Sequence, residues 1–475
     1  MILPDEFKKR MSEYLGDQYD AFIATFDEPA LKGIRLSTMK VGHDDQEKIV
    51  SELQNDIKRV PWTSCGFYSD AEYSGKDPYY HAGVYYPQEP SAMLPAEVIA
   101  AQPGEIILDL CAAPGGKACR IGEDLKGRGI IVANEINSER SKALNRNIER
   151  TGITNCIILN ESPDNIAKCL PSFFDKILID APCSGEGMFR RDPKAVKSWE
   201  NYGPMGVSKL QYEIITEAAK ALKPGGSIVY STCTFAEIED EGLISRFLSD
   251  HPDFEIVPHP EIQGISHITD GPMNGCMRIW PHLSEGDGHF CVHLRNTSGA
   301  ATDYKIEPVP SRGAIVDKEV ACMLKFLSDF LAQNVLDDIK DKCSRQVMVQ
   351  GSGIYLMPLN SKLLNKLRIV KSGLFMGEIK VTKTERVFIP SNSFPLTLSR
   401  EMIRDDSAVD FAREDDNLFR YLKGETINID LSDEKFSGVK QKGTVVIMVN
   451  GFPLGLGKIQ NGTIKNLYPK AWRLV

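Results

Sequence analysis

The feature that most constrains the fold is a regular alternation of short apolar runs and helical patterns in the middle of the chain. The apolar runs are typical of buried strands and occupy residues 105–110, 129–135, 155–161, 174–180 and 225–233. Helical patterns occur at residues 117–126, 138–152 and near 208–222. Strands that alternate with helices indicate a parallel, doubly wound α/β sheet. The central part of the chain is therefore predicted to have a Rossmann-like core.

Composition on either side of this core predicts further domains in the 475-residue chain. A segment that contains Gly, Ser, Pro and Arg at residues 298–312 is typical of a linker, and the acidic stretch at 401–416 is a second candidate boundary. Short strands and turn glycines near the C-terminus indicate a small β-rich domain. We predict an α+β N-terminal domain, a catalytic domain, a C-terminal α+β domain and a β-rich domain, with the boundaries 1–85, 86–297, 298–400 and 401–475.

Several classes of protein are excluded by composition. No segment reaches the roughly 18 consecutive apolar residues of a membrane span, and the N-terminus lacks the pattern of a secretory signal. The 11 cysteines include no C-x-x-C pair, so a zinc site is not expected. We therefore expect a cytoplasmic protein without a metal ion and without a membrane partner.

A glycine-rich turn follows the first predicted strand, in the sequence DLCAAPGGKA at residues 109–118. Such a strand-to-helix turn lets a ligand approach the backbone at a helix N-terminus. The sequence matches neither the phosphate-binding G-x-x-x-x-G-K-[ST] pattern nor the dinucleotide G-x-G-x-x-G pattern. Glu135 ends the next strand 20 residues after Gly115, a spacing at which a carboxylate can bind ribose hydroxyls. The loop therefore suits an adenosine without a pyrophosphate, as in S-adenosylmethionine.

Two cysteines and a carboxylate follow the ends of two other predicted strands. Asp180 and Cys183 lie in DAPCSGEGMFRR, and Cys233 lies in YSTCTF. Methylation of carbon 5 of a pyrimidine requires a thiolate that adds to carbon 6, and a carboxylic acid at nitrogen 3 would neutralise the developing charge. Thr234 and Glu237 have capping-box spacing, which predicts a helix N-terminus that would favour a Cys233 thiolate. From the residues alone either cysteine could be the nucleophile, and each by itself could be a buried structural cysteine.

These motifs resemble those of the Sun-type RNA cytosine-5 methyltransferase family, and GVYYPQEPSAMLP at residues 83–95 is similar to the family's entry motif. The resemblance extends over roughly residues 83–295, with the motifs in the same order. It implies that Cys233 in the Thr-Cys motif is the nucleophile. It also implies that Cys183 in the Pro-Cys motif assists release of the methylated base.

The same resemblance assigns the cofactor residues. It implies that Lys117 also lies near the target base, that Glu135 holds the ribose, and that Asp180 contacts both cofactor and base. Ser162 stands where many members have an aspartate beside the adenine, and its hydroxyl can still make a hydrogen bond there. The loop residues expected to line the cofactor are Cys111, Ala112, Ala113, Pro114, Gly115, Gly116 and Lys117.

The C-terminal end points to RNA although the net charge of the chain is −9. Residues 450–472 resemble the PUA-like module of bacterial family members that modify small-subunit ribosomal RNA. Tyr468 and Trp472 would either stack on RNA or form the core of this domain, and Arg190 and Arg191 would either contact phosphates or be solvated. Six basic residues without an acid occur between residues 438 and 475, namely Lys440, Lys442, Lys458, Lys465, Lys470 and Arg473.

Taken together, the residues and the resemblance predict a cytoplasmic, monomeric, S-adenosylmethionine-dependent enzyme that forms 5-methylcytosine in structured RNA. The RNA implied by the resemblance is 16S rRNA of the small ribosomal subunit, bound by the N-terminal and PUA-like domains. Two alternatives remain at this point. One is the same chemistry on tRNA, and the other is an RNA-binding assembly factor without catalytic activity.

Overall fold

A computed structural model describes residues 3–54, 56–69, 75–299, 314–359, 361–382 and 385–474. Its strands are β1 (Gly33–Leu36), β2 (Gly66–Tyr68), β3 (Tyr85–Pro87), β4 (Ile106–Asp109), β5 (Ile130–Asn134), β6 (Cys156–Leu159), β7 (Phe174–Asp180), β8 (Leu222–Thr232), β9 (Phe254–Ile256), β10 (Ser266–His267), β11 (Met277–Ile279), β12 (His289–Asn296), β13 (Val347–Gln350), β14 (Gly353–Leu356), β15 (Ile369–Ser372), β16 (Leu374–Val381), β17 (Arg386–Pro390), β18 (Ala408–Phe411), β19 (Ile427–Asn428), β20 (Lys442–Val449), β21 (Phe452–Gln460) and β22 (Thr463–Asn466). Its α-helices are α1 (Asp5–Leu15), α2 (Tyr19–Ala24), α3 (Gln46–Leu53), α4 (Pro78–His81), α5 (Leu94–Val98), α6 (Gly116–Asp124), α7 (Ser138–Thr151), α8 (Pro163–Cys169), α9 (Pro193–Ala221), α10 (Glu241–Asp250), α11 (Ala314–Leu327), α12 (Gln333–Gln346) and α13 (Asp416–Leu422).

The central sheet has the strand order β10-β11-β12-β8-β7-β4-β5-β6-β15, with β9 beside β12. The five strands β8, β7, β4, β5 and β6 are parallel. The chain builds outward from β4 in one direction and then returns to build β7 and β8 in the other, so the order reverses between β4 and β7. This arrangement confirms the predicted doubly wound core. The strands that flank it, β12 and β15, are antiparallel to their neighbours and were not predicted.

Apolar side chains on both faces of these strands explain why the parallel strands are buried. Ile106, Val132 and Ile177 belong to an apolar cluster on one face, and Ile107 and Ile131 belong to a second cluster on the other. Burial on both faces is typical of parallel strands covered by helices. The sheet therefore forms a rigid base for the loops at the carboxyl ends of its strands.

One predicted helix agrees with the structure at its start and another does not. Helix α7 begins at Ser138, as predicted, and Asn137 is its N-cap, because the Asn137 side-chain oxygen accepts hydrogen bonds from the backbone amides of Glu139 and Arg140. Helix α9 begins at Pro193, well before the predicted start near residue 208, and it is interrupted at Gly203, which has a φ of 59°.

Three smaller sheets surround the core, and their packing crosses the predicted domain boundaries. They have the orders β2-β1-β3, β13-β14-β16-β17 and β18-β20-β21-β22-β19. Strand β15, from the segment predicted to be a separate α+β domain, extends the central sheet beside β6. The first and last of these small sheets contribute to a single apolar cluster. The four boundaries drawn from composition stay a prediction.

The length and composition of the helices show whether any of them could span a membrane. Within the ranges that the structure describes, no helix combines the length and apolar composition needed to cross a bilayer.

Candidate active site

The carboxyl ends of four central strands bring the predicted site residues to one edge of the sheet. Asp109 ends β4 and Asp180 ends β7, while Glu135 and Cys233 come directly after β5 and β8. Strands β4 and β5 are in parallel register, as are β7 and β8. In an open α/β sheet this edge, next to the point where the strand order reverses, is where ligands bind. The location agrees with the one predicted from the sequence.

The two predicted catalytic thiols are in direct contact. The Sγ atoms of Cys183 and Cys233 are 3.3 Å apart, and both side chains are only partly buried. The hydrogen bond to Cys233, burial and the nearby charge of Glu239 hold the pKa of Cys183 well above its usual value. Cys183 therefore remains a protonated thiol at neutral pH, beside a second thiol that a substrate can reach.

The helix predicted to favour a Cys233 thiolate does not begin there. A short 3₁₀ turn covers Glu237–Glu239, and α10 starts only at Glu241. The Thr234 hydroxyl accepts a hydrogen bond from the amide of Ala236, so it caps a local turn and not the start of a helix. The predicted capping box is thus wrong, and the helix-dipole argument for Cys233 no longer holds.

Asp180 forms the charged centre of the site. Lys117 Nζ lies 2.7 Å from Asp180 Oδ2, and the Ser231 hydroxyl donates a 3.0 Å hydrogen bond to Oδ1. Burial alone would raise the pKa of Asp180, but the Lys117 ammonium and the hydrogen bonds from Lys117 and Ser231 lower it below its usual value. Burial also disfavours the Lys117 ammonium, and the Asp180 charge more than compensates, so the pKa of Lys117 is raised. The pair is therefore an ammonium beside a carboxylate.

His289 was missed by sequence reasoning. Its Nε2 lies 3.7 Å from Asp180 Oδ1, and neither ring nitrogen has a hydrogen-bond partner in the described part of the chain. Burial and the Lys117 charge lower the pKa of His289 to about 3, so the imidazole is neutral. It begins β12, and its neighbour Phe290 pairs with Thr232 beside Cys233. Because antiparallel β12 was not predicted, this contact could not be inferred from the sequence.

Asp109 was also missed, although its position before the glycine-rich loop was a usable signal. It is fully buried, and neither carboxyl oxygen has a partner within the described residues. Burial, together with the charges of Asp180 and Glu135, raises its pKa to about 8. The Asp180 and Glu135 carboxylates thus lie close enough to Asp109 to disfavour a negative charge on it. A cationic ligand relieves such repulsion, and the sulfonium of S-adenosylmethionine is a cation, so the residues present fit that cofactor.

The loop that follows β4 has the geometry of a ligand-binding turn. Gly115 has a φ of 118°, a conformation that favours glycine, and α6 starts at the next residue. The turn contains the predicted cofactor residues Cys111 to Lys117. Across from it, Glu135 is buried; its Oε1 accepts a 2.9 Å hydrogen bond from the Asn137 amide, and its Oε2 lies 3.3 Å from Arg140. These contacts fix the Glu135 carboxylate at the end of β5.

Ser162 also lies at this edge, after β6. It is the N-cap of α8, and its hydroxyl is hydrogen-bonded to the Asp164 carboxylate. The side chain is partly exposed. The structure therefore places Ser162 at the end of the third strand, as the sequence alignment of motifs implied, and leaves its contact with a cofactor as a prediction.

Two predicted RNA contacts are corrected. Arg190 and Arg191 are both ion-paired to the buried carboxylate of Asp287, so they are neither free for phosphate nor a solvated pair. Tyr468 is buried, with its hydroxyl 2.9 Å from His81 Nδ1, and Trp472 packs against the same apolar cluster. The core interpretation holds for both aromatic residues. No group of three or more potential metal ligands comes together in the ranges described.

The sequence was compared with protein families and with known proteins. A family model described as 16S rRNA methyltransferase RsmB/F matches residues 96–295. Three further models match the N-terminal domain of 16S rRNA methyltransferase RsmF at 3–90, its first C-terminal domain at 329–398 and its PUA domain at 408–474.

Individual relatives agree with these matches. Ribosomal RNA small subunit methyltransferase F from Enterobacter sp. is 30% identical over 99% of this chain and 96% of its own length. The protein of the same name from Vibrio vulnificus is also 30% identical, over 99% and 97%. A crystal structure of a methyltransferase homolog protein from Pyrococcus horikoshii has a TM-score of 0.54 and 29% identity, covering 62% of this chain and 95% of that one.

Proposed function

Because the chain belongs to the 16S rRNA methyltransferase RsmB/F family, with the domains of its RsmF branch, we propose that it forms 5-methylcytosine in 16S rRNA of the small ribosomal subunit. The observation that carries the cytosine-5 chemistry is the contact between Cys183 and Cys233 beside the Lys117–Asp180 pair. One nucleophile and one auxiliary thiol are what addition to carbon 6, followed by elimination, requires.

Residues at the ends of β4, β5 and β6 hold the cofactor in this proposal. S-adenosylmethionine supplies an electrophilic methyl group when bound. The turn from Cys111 to Lys117 brings its backbone against the ligand, Glu135 accepts hydrogen bonds from the ribose hydroxyls, and the Ser162 hydroxyl faces the adenine. The buried carboxyl group of Asp109 and the partly buried carboxylate of Asp180 favour a cation at the same place.

Cys233 starts the reaction on the RNA base. Its thiolate forms a bond to carbon 6 of cytosine, and the ring electrons shift so that nitrogen 3 gains a proton and carbon 5 becomes nucleophilic. In this proposal Asp180 holds that nitrogen, and the neighbouring Lys117 ammonium supplies the proton through the hydrogen bond between them. Carbon 5 then takes the methyl group from the bound cofactor, which leaves as the neutral thioether S-adenosylhomocysteine. The protein contributes a nucleophile and charge stabilisation at a fixed position.

Cys183 acts in the release of the product. Solvent water takes the proton from carbon 5, nitrogen 3 returns its proton to the Lys117–Asp180 pair, and the bond between carbon 6 and the Cys233 sulfur breaks so that Cys233 departs as a thiolate. The raised pKa of Cys183 keeps its proton in place, and the 3.3 Å separation lets that thiol donate a hydrogen bond to the departing sulfur. A variant without Cys183 should therefore add and methylate but release slowly.

The PUA and N-terminal domains bind the RNA in this proposal, and the enzyme acts as a cytoplasmic monomer. Exposed lysines such as Lys442, Lys458 and Lys465 in the five-stranded sheet are available for phosphates. The alternatives from the sequence differ in outcome, because a tRNA enzyme methylates tRNA and an assembly factor without activity methylates nothing.

The direct test uses purified protein, labelled S-adenosylmethionine and protein-free 16S rRNA or tRNA, followed by nucleoside analysis. We expect label in 5-methylcytosine from 16S rRNA and at least a thousand-fold loss with Cys233→Ala, the scale on which loss of a nucleophile reduces rates. Cys322→Ala, a partly exposed cysteine in α11, is the matched control and should retain activity. Label in another nucleoside, or in tRNA alone, contradicts the proposal.

A further inference from the structure

Large apolar side chains are exposed where helix α9 is interrupted. The break is at Gly203, which is followed by Pro204. On its two sides Tyr202 is 73% exposed and Met205 is 67% exposed. Exposure of large apolar side chains to water is unfavourable. Two of them at one break in a helix therefore form a candidate contact surface.

This surface is attached to the active-site loops. The Ser208 hydroxyl, in the turn after Met205, donates a 2.9 Å hydrogen bond to the carbonyl of Ile238 in the loop that follows Cys233. One turn later, Gln211 Nε2 donates to the carbonyl of Pro182, directly before Cys183, at 3.0 Å. The break in α9 is therefore held beside both loops that carry the catalytic thiols.

The charge of the same segment is positive. Lys194, Lys197 and Lys209 are exposed, and none of them forms an ion pair with any residue that the structure describes. Glu200 is the one acid between Pro193 and Leu210. Unpaired lysines on the same helix as an exposed aromatic ring and a thioether match the phosphates and bases of a single-stranded nucleic acid.

We propose that the break in α9 receives the RNA next to the target cytosine, with Tyr202 stacking on a neighbouring base and the three lysines contacting phosphates. The inference rests on the proposed function, because it takes RNA as the substrate. A cytosine in structured RNA must leave its stack before Cys233 can reach carbon 6, and this exposes the bases beside it. Tyr202 and Met205 offer those bases an apolar surface at the site of reaction.

Binding of protein-free 16S rRNA transcript, measured by fluorescence anisotropy without cofactor, tests this surface independently of methylation. We expect Tyr202→Ala to weaken binding about ten-fold, Tyr202→Phe to retain wild-type affinity, and Met205→Ala to have a smaller effect. Val381→Ala is the control, because that side chain is 66% exposed on β16 and should be neutral. Thermal midpoints should not change, since all these side chains are exposed.

Two results overturn the inference. Equal transcript affinity for Tyr202→Ala and wild type removes RNA stacking from this surface. A loss seen with assembled small subunits but not with the transcript shows that a protein docks there instead. If the wild type binds the transcript through Tyr202 but makes no 5-methylcytosine, the proposed reaction fails and this surface stands.

Discussion

Asp180 keeps its negative charge in a partly buried position because Lys117 and Ser231 replace the water that burial removes. His289 lies on the other side of the same carboxylate as a neutral ring. The Lys117 ammonium is therefore the ionic partner of the Asp180 carboxylate, while the neutral His289 ring adds no positive charge. In the proposed reaction, this carboxylate is the group that meets nitrogen 3 of the base.

The neutral state of His289 can be measured directly. Its pKa is lowered from 6.5 to about 3 by burial and by Lys117, so its ring should not titrate between pH 5 and pH 8. We expect its ¹³C-labelled ring resonance, assigned with His289→Phe, to stay constant over this range. A His289 resonance that shifts with a midpoint near 6.5 contradicts the buried, neutral ring.

Glu135 provides a prediction for cofactor binding. We expect Glu135→Ala to weaken S-adenosylmethionine binding by roughly 1.5–3 kcal/mol, the scale of hydrogen bonds lost to a charged group. Calorimetry checks this, and Glu139→Ala, an exposed acid in the first turn of α7, is the control. Unchanged cofactor affinity would mean that the contacts of Glu135 to Asn137 and Arg140 are its whole role.

The site residues that could be predicted are those that belong to local motifs. Cys183, Cys233, Asp180 and Lys117 each follow a recognisable strand, so their convergence followed from parallel pairing. His289 could not be predicted, because an antiparallel strand from much later in the chain brings it to Asp180. The pairing of Arg190 and Arg191 with Asp287 is a contact of the same long-range kind.

At the element scale, the turn between β4 and α6 depends on Gly115. We expect Gly115→Ala to cost on the order of 1–3 kcal/mol in stability through its positive φ and to abolish most cofactor binding, because an added Cβ would lie 3.1 Å from Leu144. Gly104→Ala is the matched control, with a φ of 107° and no heavy atom within 4 Å of the added Cβ. Calorimetry and thermal unfolding separate the two effects. Equal cofactor affinity in both variants would contradict a role for this turn.

Secondary structure in the core was predictable because its strands are short, apolar and separated by helices of ordinary length. The start of α9 and the absence of a helix at Thr234 could not be predicted, because tertiary contacts determine both. The Trp199 indole, for example, donates a 2.8 Å hydrogen bond to Glu186, which holds the early part of α9 against the Pro-Cys loop. Capping-box spacing carries no information about such contacts.

At the scale of the whole molecule, the N-terminal sheet β2-β1-β3 connects the PUA domain to helix α6. Arg35 in β1 forms a buried 2.7 Å ion pair with Glu123 of α6. On the other side, residues of β1 and α4 share one apolar cluster with the PUA sheet, and Asn450 donates a 2.8 Å hydrogen bond to the Tyr79 hydroxyl. We therefore expect the N-terminal and PUA domains to stabilise each other.

The pair of Arg413 and Asp77 tests this coupling. Both guanidinium Nη2 and Nε donate to the Asp77 carboxylate, at 3.0 and 3.2 Å. We expect Arg413→Met and Asp77→Asn each to destabilise the protein by about 1.5–3 kcal/mol, with a coupling energy of at least about 1 kcal/mol in the double variant. Arg420→Met and Glu425→Gln remove an exposed pair and should cost less than about 1 kcal/mol. Additive effects at Arg413 and Asp77 would show that the two domains unfold independently.

The central claim is that Cys233 bonds to the RNA and Cys183 helps to break that bond. One denaturing gel tests it, with labelled 16S rRNA, S-adenosylmethionine and four proteins: wild type, Cys183→Ala, Cys233→Ala and the double variant. The account predicts a protein–RNA conjugate that accumulates with Cys183→Ala and is absent with Cys233→Ala and with the double variant. A conjugate that accumulates with Cys233→Ala and is absent with Cys183→Ala would reverse the two roles and contradict the account.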